Sequence, residues 1–172
     1  NLIMQWGRDL RHTGILQVEQ ALNAETYIMP LAFKTLIWFY ISEQINPRNA
    51  DLSDNHPLSI TACRKRAVEL LKEMESRYFK NPPNPDFIGS KDLALMKAIQ
   101  SFLDKDFASA KTEFEKIVKI SNYLRDKKGY KINPKLISTS EMGAEFAELI
   151  LESAKESHDP ALCQRIDRQI TF

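Results

Sequence analysis

Apolar residues recur at steps of three and four along most of the chain, the spacing at which side chains share one face of a helix. Ile3, Trp6, Leu10, Val18 and Ala21 predict a first helix over about residues 3–24. Gly14 falls inside it, and since glycine costs about 1 kcal/mol in a helix interior, it is expected to mark a close helix crossing or a kink. A second helix is expected over about residues 30–45, opened by Pro30 and apolar almost all round (Leu31, Ala32, Phe33, Leu36, Ile37, Trp38, Phe39, Tyr40, Ile41, Ile45). A helix of that kind is expected to be enclosed by neighbours, at the centre of the fold. Trp38, Phe39 and Tyr40, being consecutive, cannot share one face, so they read as core rather than as an aromatic platform.

After a loop rich in Asn, Asp and Pro from Asn46 to Pro57, Ile60, Cys63, Ala67, Leu70, Leu71, Met74 and Tyr78 form the stripe of a third helix, about residues 59–79. Pro82, Pro83 and Pro85 keep the next stretch extended. Ser90 is placed to cap a fourth helix over about residues 91–104, and Asp106 a fifth that ends near Gly129. Ser138 and Glu141 have the spacing of a capping box ahead of a sixth, about residues 139–157. Asp159–Pro160 opens a last one, with Leu162, Ile166 and Ile170 on its apolar side. No segment alternates with a period of two. The pattern predicts an all-α helical bundle or short helical array, of about six to seven helices around a buried central helix.

The chain has 172 residues, 43% hydrophobic and 27% charged, and reads as a single all-α domain over residues 1–172. It starts and stops within apolar helical runs rather than polar linkers, the expectation for a piece of a longer protein. Lys and Arg number 24 against 23 Asp and Glu, so no net field recruits nucleic acid, and charge-driven binding must come from a local patch. The two cysteines, Cys63 and Cys163, form no CxxC pair, and no Asn-x-Ser/Thr acceptor occurs. Both features point to a reducing, cytoplasmic setting. The most apolar stretch, Ile28–Ile41, contains Lys34 and falls short of the roughly 20 residues a membrane span needs.

Chemistry-bearing patterns are few. Neither GxSxG nor HExxH appears, and five glycines leave little for a phosphate-gripping loop. Asp9 and His12 are spaced to share a face, but a dyad needs a nucleophile and an oxyanion site beside it. The loop Asp51–His56 begins like a calcium loop, yet His56 stands where glycine is required and Ala62 where the bidentate glutamate belongs. Glu141, Glu145, Glu148, Glu152 and Glu156 line one side of the sixth helix. Without Glu-x-x-His partners they are no di-metal set, and they read as a solvated face or a contact for a basic partner. No cofactor or metal is expected.

Arg64, Lys65, Arg66, Lys72, Arg77 and Lys80 make the third helix basic, and Phe79, Phe87 and Ile88 lie at or in the proline-rich loop after it. Cations around an apolar loop tip are what binding to anionic lipid or phosphoinositide head groups requires. Glu69, Glu73 and Glu75 interleave with the cations, however, and Glu73 to Arg77 is a favourable four-step pair.

Residues 98–120 resemble the middle of a tetratricopeptide repeat. Ala98 stands at the small position of the first helix, Asp106-Phe107 fills the turn, and Ala110 and Phe114 take the small and aromatic positions of the second. Lys97, Ile117 and Asn122 replace residues that are normally Leu, Ala and Pro, and no second copy follows at an offset of about 34 residues. The resemblance covers one helix pair, and it implies a peptide- or protein-binding helical array.

The leading functional expectation is a non-catalytic interaction module that docks a protein or peptide partner within a larger intracellular protein. Two others stand beside it. One is a peripheral membrane module using the third-helix cations and the proline-rich loop. The other is a helical lobe of an enzyme whose catalytic residues lie elsewhere.

Overall fold

A computed structural model describes residues 11–22, 29–78 and 89–156 of the chain. Its elements are helices: α1 (Arg11–Ala21), α2 (Met29–Gln44), α3 (Ile60–Tyr78), α4 (Gly89–Leu103), α5 (Phe107–Lys128) and α6 (Pro134–Glu156), with one short 3-10 turn at Pro47–Asn49. Among the described residues there is no strand, and the protein is all-α. Residues 3–10, the Asp159–Pro160 helix start and the loop from Phe79 to Ile88 lie outside the described residues. The chain divides into two compact units, residues 1–82 and 83–172.

In the first unit α2 packs against both α1 and α3. Its Phe33, Leu36 and Ile37 are fully buried, together with Cys63, Ala67 and Leu70 of the α3 stripe. The ring of Tyr78 meets that of Phe33 edge-on at 6.0 Å. The apolar excess of α2 is only partly absorbed: Tyr40 is buried, Trp38 and Phe39 are half-buried, and Leu31 is exposed. Ser59 opens α3 by accepting the Ala62 N–H at 3.1 Å.

The second unit is a run of α4, α5 and α6 in which α5 packs on both neighbours. Ala94, Ala98 and Ile117 form its buried centre, with Leu95, Phe114 and Leu136 against them. The turn into α5 is closed by Asp106, whose carboxylate accepts the Ser109 N–H at 3.1 Å. The helix ends on Gly129 in the left-handed region (φ 70°), where a side chain would be strained.

Three local expectations need correction. First, α4 begins at Gly89, so Ser90 lies inside the helix rather than at its cap. Second, α6 begins at Pro134, whose fixed φ suits a first turn, with Asn133 accepting the Lys135 N–H at 3.0 Å. Ser138 is therefore not an N-cap. Its hydroxyl, like that of Thr139, donates back to the Lys135 carbonyl, the habit of these residues within helices. Third, Gly14 lies within the helix Arg11–Ala21, and among the described residues no atom comes within 4 Å of where its side chain would be. The close approach falls instead at Gly143, where a Cβ would stand 2.9 Å from the ring of Phe114.

Hydrogen bonding to Ser109 holds the Asp106 carboxyl below its ordinary range. A depressed folded-state value means that the cap contributes fully above the unfolded carboxylate pKa and is lost as pH falls through the folded one. Asp106→Ala is expected to cost about 1 kcal/mol at neutral pH, and the gap to the parent chain is expected to close at strongly acidic pH. Denaturant titrations at the two pH values measure it, and a pH-independent gap would contradict the assignment.

Candidate functional site

Three places concentrate polar or exposed apolar groups. The first is a buried clasp at the end of α2. Glu43 is 6% exposed and pairs with Arg11 from α1. Asn49, also buried, donates its Nδ2 to the Glu43 carboxylate and to the Glu43 backbone carbonyl, both at 2.8 Å. The amide of Asn46 donates to both carboxylate oxygens at 3.3 Å. A buried carboxylate is tolerated only when paired and hydrogen-bonded, and here the pairing ties α1 to the loop after α2.

The field of this clasp reaches Cys63. Burial, then the charge of Glu43, push its thiol up to about 11, with Arg11 opposing in part. A thiol raised so far is not ionised at neutral pH and is no nucleophile.

The second place is a groove of about 300 Å³ lined by Leu16, Glu19, Gln20 and Leu22 on one side and Arg66, Glu73 and Arg77 on the other. Glu19 is its hub. It accepts Arg66 Nε at 2.8 Å and the Tyr40 hydroxyl at 2.9 Å. Burial works against the Arg66 charge, but the bonds to Glu19 and Glu69 outweigh it and raise its pKa. Burial and the Glu19 carboxylate drive the Tyr40 phenol well above its ordinary value.

These contacts distribute the third-helix cations. Arg66 is held by Glu19 and Glu69, while Arg77 is held by Glu73 and lies 5.6 Å over the ring of Phe33. Arg64, Lys65 and Lys72 are exposed. Lys80, Phe79, Phe87 and Ile88 lie outside the described residues. The structure therefore brings Arg66 and Arg77 together in an interhelical groove and leaves Arg64, Lys65 and Lys72 on the outside of α3.

The third place is α6. Glu148 pairs with Lys111 of α5, and Glu141 and Glu145 join Lys111, Glu115 and Lys119 around a shallow groove. The hydrogen bond to Glu148 raises the Lys111 pKa. On the adjoining face of the helix Met142, Phe146 and Leu149 stand 67%, 50% and 59% exposed. Phe102 of α4 stacks on Phe146 at 5.9 Å and meets Phe107 edge-on at 5.2 Å, which widens the apolar surface. Sequence reasoning missed this row. Its signal was present in the four- and three-residue steps 142, 146 and 149, alongside the more conspicuous glutamates.

Of the remaining candidates, Asp9 lies outside the described residues and His12 is half-buried on α1. Asp54 of the calcium-like loop accepts the Thr61 hydroxyl at 3.0 Å. Among the described residues no group of three or more His, Cys, Asp or Glu side chains is placed to hold a metal ion, and no helix is long and apolar enough to cross a membrane. Ala98 and Ala110 are both fully buried in the packed pair α4 and α5, as close helix packing demands of many sequences. Comparison of the chain with models of protein families, with curated proteins and with solved structures finds no match.

Arg11→Met strands the Glu43 charge and is expected to cost on the order of 2 kcal/mol, read from the denaturation midpoint. In a Cys163→Ser background, Cys63 is expected to resist a thiol-specific reagent at neutral pH and to react fully once the chain is unfolded. Rapid labelling of the native protein would contradict the burial described.

Proposed function

We propose that this chain is a helical docking module that binds a protein or peptide partner and performs no chemistry itself. The observation that carries this reading is the outer face of α6. Three large apolar side chains there remain exposed on a helix that packs against α5. Contiguous apolar surface that the fold leaves uncovered is characteristic of interaction sites, and an amphipathic helix laid against such a row is a recurrent mode of recognition. The polar clusters support the reading by their closure: the Glu43 clasp and the Glu19 hub are satisfied by partners within the chain, and the cysteine nearest them is not ionised.

The alternative, an anionic-lipid module, calls on six cations, of which Arg66 and Arg77 are engaged by carboxylates. Affinity capture with the whole chain, followed by titration of the purified partner, tests the docking reading. Phe146→Asp, with its melting temperature unchanged, is expected to weaken binding about tenfold or more, which is roughly 1.4 kcal/mol. Unchanged affinity would remove α6 as the site. Co-sedimentation with anionic vesicles that is lost on reversing Lys65 and Lys72, with no capture through α6, would transfer the function to the lipid module.

A further inference from the structure

The connection between α5 and α6 concentrates positive charge in a chain whose net charge is only +1. Residues 125–135 hold five cations, Arg125, Lys127, Lys128, Lys131 and Lys135, against one carboxylate, Asp126. Every residue from Arg125 to Lys131 is exposed. Four successive residues point in all directions around a helix, so the last turn of α5 has no covered side and projects from the packed unit. The turn after it is held in place. Gly129 takes its left-handed conformation (φ 70°), and the Tyr130 N–H donates to the Leu124 carbonyl at 3.0 Å. That fixes Tyr130, 46% exposed, at the tip.

Chemistry within the chain accounts for some of these cations and not for others. Arg125 pairs with Asp126 at 2.7 Å, and the Lys128 ammonium lies 6.0 Å from the ring of Tyr123. Cations in the last turn of a helix also offset its dipole, which covers Lys127. Lys131 lies past that turn. Lys135 stands in the first turn of α6, the end where a cation is disfavoured. Among the described residues neither lysine forms an ion pair.

We propose that this turn seats the unit on the anionic head groups of a phospholipid bilayer. Lipid phosphates take the cations. The Tyr130 ring, apolar in body and polar at its hydroxyl, takes the interfacial zone, where tyrosine is enriched. A projecting tip of this kind meets a plane. A nucleic-acid strand is instead bound by cations lining a groove with successive stacking rings, and the turn offers one ring on a helix end. The turn shares no residue with the α6 row, so membrane seating is a second property of the unit, independent of the partner it docks.

Co-sedimentation of the whole chain with vesicles containing phosphatidylserine, beside vesicles of phosphatidylcholine alone, tests the assignment. Binding is expected only to the anionic vesicles, and is expected to fall about tenfold or more between about 0.05 and 0.3 M salt as the charges are screened. Each lysine near such a surface is worth roughly fivefold, and reversal counts it twice. Lys131→Glu with Lys135→Glu is therefore expected to weaken binding about a hundredfold or more. Both positions lie outside α5, and a carboxylate suits the first turn of α6, so the melting temperature is expected to hold. Lys131→Arg with Lys135→Arg is expected to bind as the parent chain does. No binding to anionic vesicles, or binding indifferent to the Lys131 and Lys135 reversal, would overturn the proposal. So would loss on reversing only Lys65 and Lys72, or a single-stranded oligonucleotide held more tightly than the vesicles through the same lysines.

Discussion

A helix in a row of three can be covered from both sides only if it is the middle one, and that constraint shapes both units. In the first, α2 is packed by α1 and α3; in the second, α5 is packed by α4 and α6. The middle helices hold much of the unit's fully buried bulk: Phe33, Leu36 and Ile37 in α2, Ile117 and Leu124 in α5. Outer helices are less enclosed, although they meet each other where Phe102 of α4 stacks on Phe146 of α6 and Arg66 of α3 pairs with Glu19 of α1, and apolar residues elsewhere on their circumference meet water. Met142, Phe146 and Leu149 of α6 are one consequence among the described residues.

The same geometry organises the charges. Where α1 runs beside α2 and α3, Glu43 and Glu19 are drawn into low-dielectric surroundings in which a lone carboxylate would be costly. Each is matched by an arginine and by neutral donors: Arg11 with Asn46 and Asn49, Arg66 with Tyr40. Such networks fix how helices meet, and they withdraw their members from surface chemistry. Arg66 and Arg77 illustrate the point, because their carboxylate partners on α1 and α3 already occupy the geometry a phosphate would need.

The docking reading follows from one physical situation. A row of large apolar side chains in water is unfavourable by about 25 cal/mol for each Å² that could be buried, and any segment with the complementary row and edge charge lowers that cost.

How much of this was legible in the residues alone depends on the range of the interaction involved. The three-and-four rhythm identified the helices, since that period is a property of the helix itself, and the caps at Asp106 and Gly129 were readable because their chemistry is local. Helix starts were less secure: Ser138 mimicked a cap because serine serves equally well inside a helix when its hydroxyl bonds a carbonyl one turn back, and Pro134 decided the matter. What only the tertiary structure decided were relations between distant positions. These include the pairing of Arg11 with Glu43, the turning of Arg66 toward Glu19, the contact of Gly143 rather than Gly14 with a neighbouring ring, and the side of α6 left uncovered. No periodicity encodes them, because they depend on which faces of separate helices meet, and that is settled by packing across the fold.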